Sequence, residues 1–87
     1  MINKTEVMLL MKYDSPVIRL NDCLTELGLQ KADANRRASE YSLPVPTFRM
    51  RDSQKSPRLI HIKDLAEYID RQHQEAKETW IRVNAGR

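Results

Sequence analysis

The chain has 87 residues, of which 31% are charged, with 15 lysines and arginines against 12 acidic residues. This length allows one small domain, which buries about 60% of its unfolded surface. The sequence contains no run of roughly 20 apolar residues, no recognisable secretory signal and only one cysteine, which excludes a membrane span, an internal disulfide and a cysteine-based zinc site.

Basic charge is concentrated in the middle of the chain. Residues 30–63 hold eight lysines and arginines and three acidic residues, a net charge of +5, while residues 1–29 and 64–87 each carry −1. A basic segment is typical of nucleic-acid binding, but it also serves as an ordinary solvated surface. Composition leaves both interpretations open.

A short amphipathic helix is predicted over residues 5–13. Val7, Leu10 and Met11 recur there at the spacing of one helix face. The sequence DSP then ends this helix, because serine and aspartate favour turns and proline cannot continue a helix. A brief extended piece follows at residues 17–18.

The second and third helices are predicted to form a helix-turn-helix. Asn21 is a suitable N-cap for the second helix, and Gly28 fits the left-handed position that ends it. The third helix runs from about Lys31 to Tyr41, with Ala34, Ala38 and Tyr41 on its inner face. Two helices joined by a three-residue turn have this arrangement.

The outer arc of the third helix carries side chains that can read DNA bases. Asn35, Arg36 and Arg37 lie on this arc. In a major groove, asparagine pairs bidentately with adenine and arginine with guanine. Alternatively, the two arginines pair with Asp33 and Glu40 at helical spacing, which contributes only about 0.2–0.5 kcal/mol per pair.

The segment 46–62 predicts a β-hairpin that is apolar on one side and basic on the other. The prolines of LPVP end the third helix and send the chain out extended. Alternation then places Phe48 and Met50 on the inner face, together with Ile60 and Ile62 of the return strand. The tip holds the turn formers Ser53, Gln54 and Ser56. This shape is that of a wing, and its cations are Arg49, Arg51, Lys55 and Arg58.

Three stretches within residues 7–72 together carry a family likeness. They are LLMKYDSPVIRL, NRRASEYSLPVPTFR and SQKSPRLIHIKDLAEYID, and SQKSP followed by HIKDLAEYID is the most specific part. The chain resembles the pyocin activator family of small regulators in bacteria and their prophages. The resemblance implies a winged helix-turn-helix DNA-binding domain that activates bacteriocin or prophage genes in the SOS response to DNA damage.

The resemblance also gives the hairpin a role as a wing that grips phosphates while the third helix reads bases. Ser53, Gln54 and Ser56 are otherwise ordinary turn residues, and with the resemblance we expect them to contact DNA. The predicted DNA-binding residues are Lys31, Asn35, Arg36, Arg37, Arg49, Arg51, Ser53, Gln54, Lys55, Ser56 and Arg58.

A long helix is predicted after the hairpin, and the resemblance stops before its end. We expect a DNA-binding domain over residues 1–75, with the helix end and tail at 76–87. Apolar residues near the end of this polar helix indicate a homodimer or a higher homo-oligomer, unless the helix folds back on the first one. The stripe consists of Leu65, Ile69, Gln72, Ala76, Trp80 and Val83.

The predicted fold is therefore mostly α-helical, a winged helix-turn-helix with a β-hairpin wing and a long C-terminal helix. Two separated histidines and one cysteine assemble no catalytic or metal site, so we expect no enzyme and no cofactor. The expected partners are double-stranded DNA and RNA polymerase, in the cytoplasm at the nucleoid and without membrane contact. A phage excisionase-like architectural protein and a protein-interaction module without DNA binding remain alternatives.

Overall fold

The computed structural model describes residues 3–53 and 55–86, which form four α-helices and a two-stranded antiparallel sheet. A 3-10 turn at Leu20–Asp22 precedes the second helix. The mostly helical class and the long C-terminal helix are confirmed. In chain order the elements are α1 (Lys4–Tyr13), β1 (Val17–Arg19), α2 (Leu24–Leu27), α3 (Lys31–Ser39), β2 (Leu59–His61) and α4 (Ile62–Asn84).

Helix α1 is held at both ends by polar contacts. Asn3 caps its start, and the side-chain oxygen accepts hydrogen bonds from the backbone N–H groups of Thr5 and Glu6 at 2.7 and 3.2 Å. At the other end, Asp14 adopts a left-handed conformation with a φ of 54° and donates its N–H to Leu10. The helix therefore stops where the DSP sequence predicted.

Helix α2 ends at Gly28, as predicted. Gly28 has a φ of 68°, a conformation that glycine adopts without steric cost, and its N–H donates to the carbonyl of Thr25. The predicted cap at the start of α2 is wrong, because Cys23 occupies that position and its side chain makes no capping hydrogen bond. The side chain of Asn21 instead accepts a hydrogen bond from Asn35 on α3, at 3.0 Å.

Helix α3 packs through its small residues, but it is shorter than predicted. Ala34 and Ala38 are buried, which confirms the inner face. The helix ends at Ser39, and Tyr41 is 94% exposed, so its predicted place in the core is wrong. The chain turns left-handed at Tyr41, and Val45 enters the core after the turn.

The sheet joins two distant segments, in place of the predicted hairpin. Strand β2 pairs with β1, so that Ile18 lies opposite Ile60, and both side chains are buried. In the described part of the predicted hairpin segment, the outgoing arm makes one bridge, in which Phe48 and Leu59 exchange hydrogen bonds of 3.0 and 2.7 Å. Met50 is 76% exposed, which contradicts its predicted inward orientation.

Prolines explain why this bridge does not extend into a ladder. Hydrogen-bonded pairs in an antiparallel ladder recur every two residues. The next pairs on either side of Phe48 and Leu59 would join Pro46 to His61 and Met50 to Pro57. Each of these pairs contains a proline, which has no N–H to donate. Residues 46–58, called the basic segment below, are therefore bonded to β2 through one bridge over the part of the segment that the structure describes.

Helix α4 closes the core with its first half and projects beyond it with its second half. Ile62, Leu65 and Ala66 are buried, and Tyr68 and Ile69 pack against the core. His61 caps the start of this helix, and its Nδ1 accepts the N–H of Lys63. This half lies against α1, whereas the positions from 71 to 83 are exposed, and the molecule measures 54 × 30 × 18 Å.

A polar contact fixes α4 against the start of α1. The carboxylate of Asp70 accepts hydrogen bonds of 2.6 Å from the side chains of Asn3 and Thr5. These bonds, from Thr5 first and then from Asn3, lower the pKa of Asp70. The residue that caps α1 is thus itself positioned by α4.

Candidate nucleic-acid interface

The outer arc of α3 has the predicted composition. Lys31 and Arg36 are exposed, and Asn35 and Arg37 are half-buried. Ala34 and Ala38 hold the opposite face against the core. The helix therefore presents three cations and one amide away from the domain interior.

Asp33 organises two of these cations. Its carboxylate pairs with the guanidinium of Arg36 and also accepts a hydrogen bond of 3.1 Å from Nε of Arg37. Arg36 lies in addition 3.4 Å from Glu40. The hydrogen bond from Arg36 is the main cause of a lowered pKa at Asp33. The helical ion pairs of the alternative interpretation are thus present in the structure.

Asn35 is engaged with its own domain. Its Nδ2 donates to the side-chain oxygen of Asn21 at 3.0 Å and to the carbonyl of Lys31 at 2.8 Å. An amide has two N–H donors, and both are used here. Bidentate recognition of adenine requires one donor and one acceptor, so Asn35 must release a partner before it can read that base.

The basic segment is folded on itself by its own hydrogen bonds. Nε of Arg49 donates to the carbonyl of Ser56 at 3.1 Å, which closes the loop across its base. At the tip, the hydroxyl of Ser53 accepts the N–H of Lys55, and the carbonyl of Ser53 accepts the N–H of Ser56. Gln54, which was also predicted to bind DNA, lies outside the described residues.

One hydrogen bond joins the basic segment to α3. The guanidinium of Arg58 donates to the hydroxyl of Ser39, the last residue of α3, at 3.0 Å. The two predicted binding elements therefore meet at the C-terminal end of this helix. Lys31 lies at the opposite end of α3, about 12 Å away at the helical rise per residue.

A cationic concavity lies where the two elements meet. Its volume is about 270 Å³, and three arginines and one aspartate are among the residues that line it. Sequence reasoning assigned its arginines to DNA binding but assigned Tyr41 to the core. The lining residues are Tyr41, Thr47, Phe48, Arg49, Arg51, Asp52 and Arg58.

Neither a metal site nor a membrane span is found in the described part of the chain. Over residues 3–53 and 55–86, no three acidic, histidine or cysteine side chains are grouped so that they could hold a metal ion. The helices of this region are too short or too polar to cross a bilayer.

Fold and surface together define a small, mostly helical protein with a cationic surface at the C-terminal end of α3. Comparison with known proteins gives this class a family. The model of the family described as pyocin activator protein PrtN matches residues 5–76, so the chain belongs to the pyocin activator family. This family is one of regulators, and not a family of enzymes. No curated protein and no solved structure matches the chain significantly.

Proposed function

We propose that the chain is a sequence-specific DNA-binding activator of pyocin or related prophage genes. Family membership supports the regulatory role. The bond between Arg58 and Ser39 carries the DNA-binding part of the proposal, because it holds the basic segment against the end of α3, where cations of both elements can face one DNA molecule. The order of the elements, with α2 and α3 between two strands that pair, supports a winged helix-turn-helix.

In this proposal α3 enters the major groove and the basic segment lies along the phosphate backbone. Side chains on α3 read base edges, and the cations of the segment fix register and orientation. The net charge of +5 over residues 30–63 supplies the attraction that does not depend on sequence. Bound to a promoter at the nucleoid, the protein would contact RNA polymerase. Its activity would rise after DNA damage because more of it is synthesised, and not because its conformation changes.

Footprinting on fragments selected from the source genome tests this proposal. Purified wild-type protein is used to enrich bound fragments, which are then footprinted. One protected site upstream of a pyocin or prophage gene is the expected result. Repeated protected boxes at a recombination site would indicate an excisionase-like role, and the absence of protection would favour a module that binds only proteins.

The basic segment is tested separately by its effect on salt dependence. We expect Lys55→Ala with Arg58→Ala to weaken binding to all sequences alike. For each lost phosphate contact, the slope of log K against log salt concentration should become shallower by about 0.9. Lys4→Ala with Arg71→Ala removes the same charge from α1 and α4, and serves as the control. Equal affinity and slope for the two double variants would refute the assignment.

We also propose that the second half of α4 pairs with a second copy of the chain. Trp80, at 67% exposure, and its neighbours Ile81 and Val83 are too apolar for a solvated helix end. A seven-residue repeat places Ala76 and Val83 on the stripe that begins with Ile62 and packs inside the domain. Because the stripe keeps its register, a second helix of the same kind is the partner that fits it.

A further inference from the structure

Tyr41 is held in an unfavourable backbone conformation after the last turn of α3. Its φ is 56°, in the left-handed region. The N–H of the next residue, Ser42, donates to the carbonyl of Arg37 at 2.9 Å, which completes a helix-ending motif that usually has glycine at this position. The chain does place a glycine, Gly28, at the corresponding position after α2.

Packing does not account for the tyrosine. Its side chain is 94% exposed, so the ring contributes almost nothing to the core. The cost of a side chain in this backbone conformation is therefore not repaid by burial within the domain. Strained residues that persist without such a gain are concentrated at functional sites, and an observed outlier justifies a functional hypothesis.

The surroundings of Tyr41 indicate what it would bind. Tyr41 lines the concavity of about 270 Å³ together with Arg49, Arg51 and Arg58. Two of these guanidinium groups are oriented by hydrogen bonds, to the carbonyl of Ser56 and to the hydroxyl of Ser39. A phenol and oriented guanidinium groups that line one concavity offer donors suited to a phosphate oxygen.

We infer that Tyr41 is a DNA contact, which donates its hydroxyl to one backbone phosphate held in this concavity by Arg51 and Arg58. The inference rests on the proposed function and adds to it a positioning residue at the C-terminal end of α3. A strand that leaves the groove at this end would pass between the helix and the basic segment. Tyr41 then fixes the depth and angle of α3 through a contact that carries no sequence information.

The test compares Tyr41→Gly and Tyr41→Phe with wild type on a genomic fragment that wild type has selected. Tyr41→Gly should raise the melting temperature, by about 4 °C or more, because glycine removes the backbone strain. The same variant should bind the fragment about tenfold more weakly, since a charge-assisted hydrogen bond is lost. A more stable but weaker binder is not the result expected for a structural residue.

Tyr41→Phe isolates the hydroxyl, and ethylation interference locates its phosphate. Ethylation of one phosphate should weaken wild type more than it weakens Tyr41→Phe, because both proteins lose the arginine contacts to that phosphate but only wild type also loses the hydroxyl contact. Met11→Ala alters another exposed apolar side chain, on α1, and should leave affinity and interference unchanged.

The outcomes separate this inference from the proposed function. If wild type binds and Tyr41→Gly binds as tightly, or if ethylation of each phosphate weakens the tyrosine and phenylalanine proteins to the same extent, the Tyr41 contact is wrong and DNA binding stands. If wild type selects no fragment, both fail. If Tyr41→Gly loses affinity because it unfolds, its melting temperature falls, and this result also overturns the inference.

Discussion

Asp33 is the residue that most shapes the exposed face of α3. It holds Arg36 three positions and Arg37 four positions further along the helix. Exposed pairs of this kind add little to folding stability, typically below about 1 kcal/mol. Their effect is to restrict two long side chains to one side of the helix, and this orientation lowers the entropy that a base contact would cost.

The base-reading residues can be tested one at a time. We predict that at least one of Asn35, Arg36 and Arg37 makes a bidentate contact, which contributes about 1–3 kcal/mol of discrimination between bases. Replacing that residue with alanine should relax specificity at one operator position. The measurement is the affinity of each variant for single-base operator variants, with Lys77→Ala on α4 as the control. Wild-type preference in all three alanine variants would show that α3 is not the reading helix.

At the scale of elements, α1 is joined to α2 by a small polar cluster. The hydroxyl of Tyr13 and the ammonium of Lys12 both donate to Oε1 of Glu26 at 2.6 Å. Burial, reinforced by the bond to Glu26, raises the pKa of Tyr13 to about 12. Burial of Glu26 opposes its ionisation, but the bonds from Lys12 and Tyr13 outweigh this effect and lower its pKa.

This cluster predicts a loss of stability at alkaline pH. The folded pKa of Tyr13 lies above its ordinary value of 10.0, so folding favours the neutral phenol. The corresponding stability is fully present below pH 10 and is lost as the pH rises through about 12. Tyr13→Phe should lower the free energy of unfolding at pH 7 by about 1 kcal/mol, because one hydrogen bond is lost.

Urea unfolding at a series of pH values provides the measurement. Tyr13→Phe should show a smaller decline than wild type between pH 10 and 12, since Cys23, with a pKa of about 11, continues to titrate in both proteins. Parallel curves for the two proteins over that range would contradict the role given to Tyr13.

Local sequence signals predicted the helices well and the strand pairing poorly. The end of α2 at Gly28 and the inner face formed by Ala34 and Ala38 are set by neighbouring residues in the chain. Both predictions were correct. Alternation in residues 46–62 shows which side chains share a face, but it does not specify which strand pairs with which. Strand β2 found its partner in β1, about 40 residues earlier. The positions of Pro46 and Pro57 were the signal that the pairing of residues 46–62 stops after one bridge.

The candidate site was predictable in its charge and not in its shape. The excess of arginine and lysine in residues 30–63 is visible in composition alone. Tyr41 continues the spacing of Ala34 and Ala38, so periodicity assigned it to the core. Only the end of α3 at Ser39 places it on the surface. That end is produced by the backbone turn, for which the sequence offers no glycine as a signal.

At the scale of the whole molecule, α4 gives the protein its elongated shape. Its 23 residues span about 35 Å at the rise of an α-helix, and only the first half touches the core. The exposed half would be marginal as an isolated helix in water. A second copy packed against its apolar stripe would stabilise it and would link two DNA-binding faces.

Sedimentation equilibrium tests this association. We expect wild type to dimerise at about 50 μM, where a micromolar interface is largely saturated. Trp80→Ala and a chain that ends at Gln74 should remain monomeric, because burial of such a side chain contributes about 1.5–3 kcal/mol. Met11→Ala, also exposed and apolar, should associate like wild type. A monomeric wild type, free and on DNA, would refute the dimer, as would equal association of the truncated chain.

The alkylation rate of the single thiol in this chain can measure how often the surrounding structure opens. Cys23 lies fully buried where α2 begins, and burial raises its pKa to about 11. Alkylating reagents attack the thiolate and need physical access to it. At neutral pH the native thiol meets neither condition, so the alkylation rate reports how often residues 20–27 open. DNA that binds only the folded state would make those openings rarer. A slower alkylation rate in the presence of DNA would therefore detect binding without any added label.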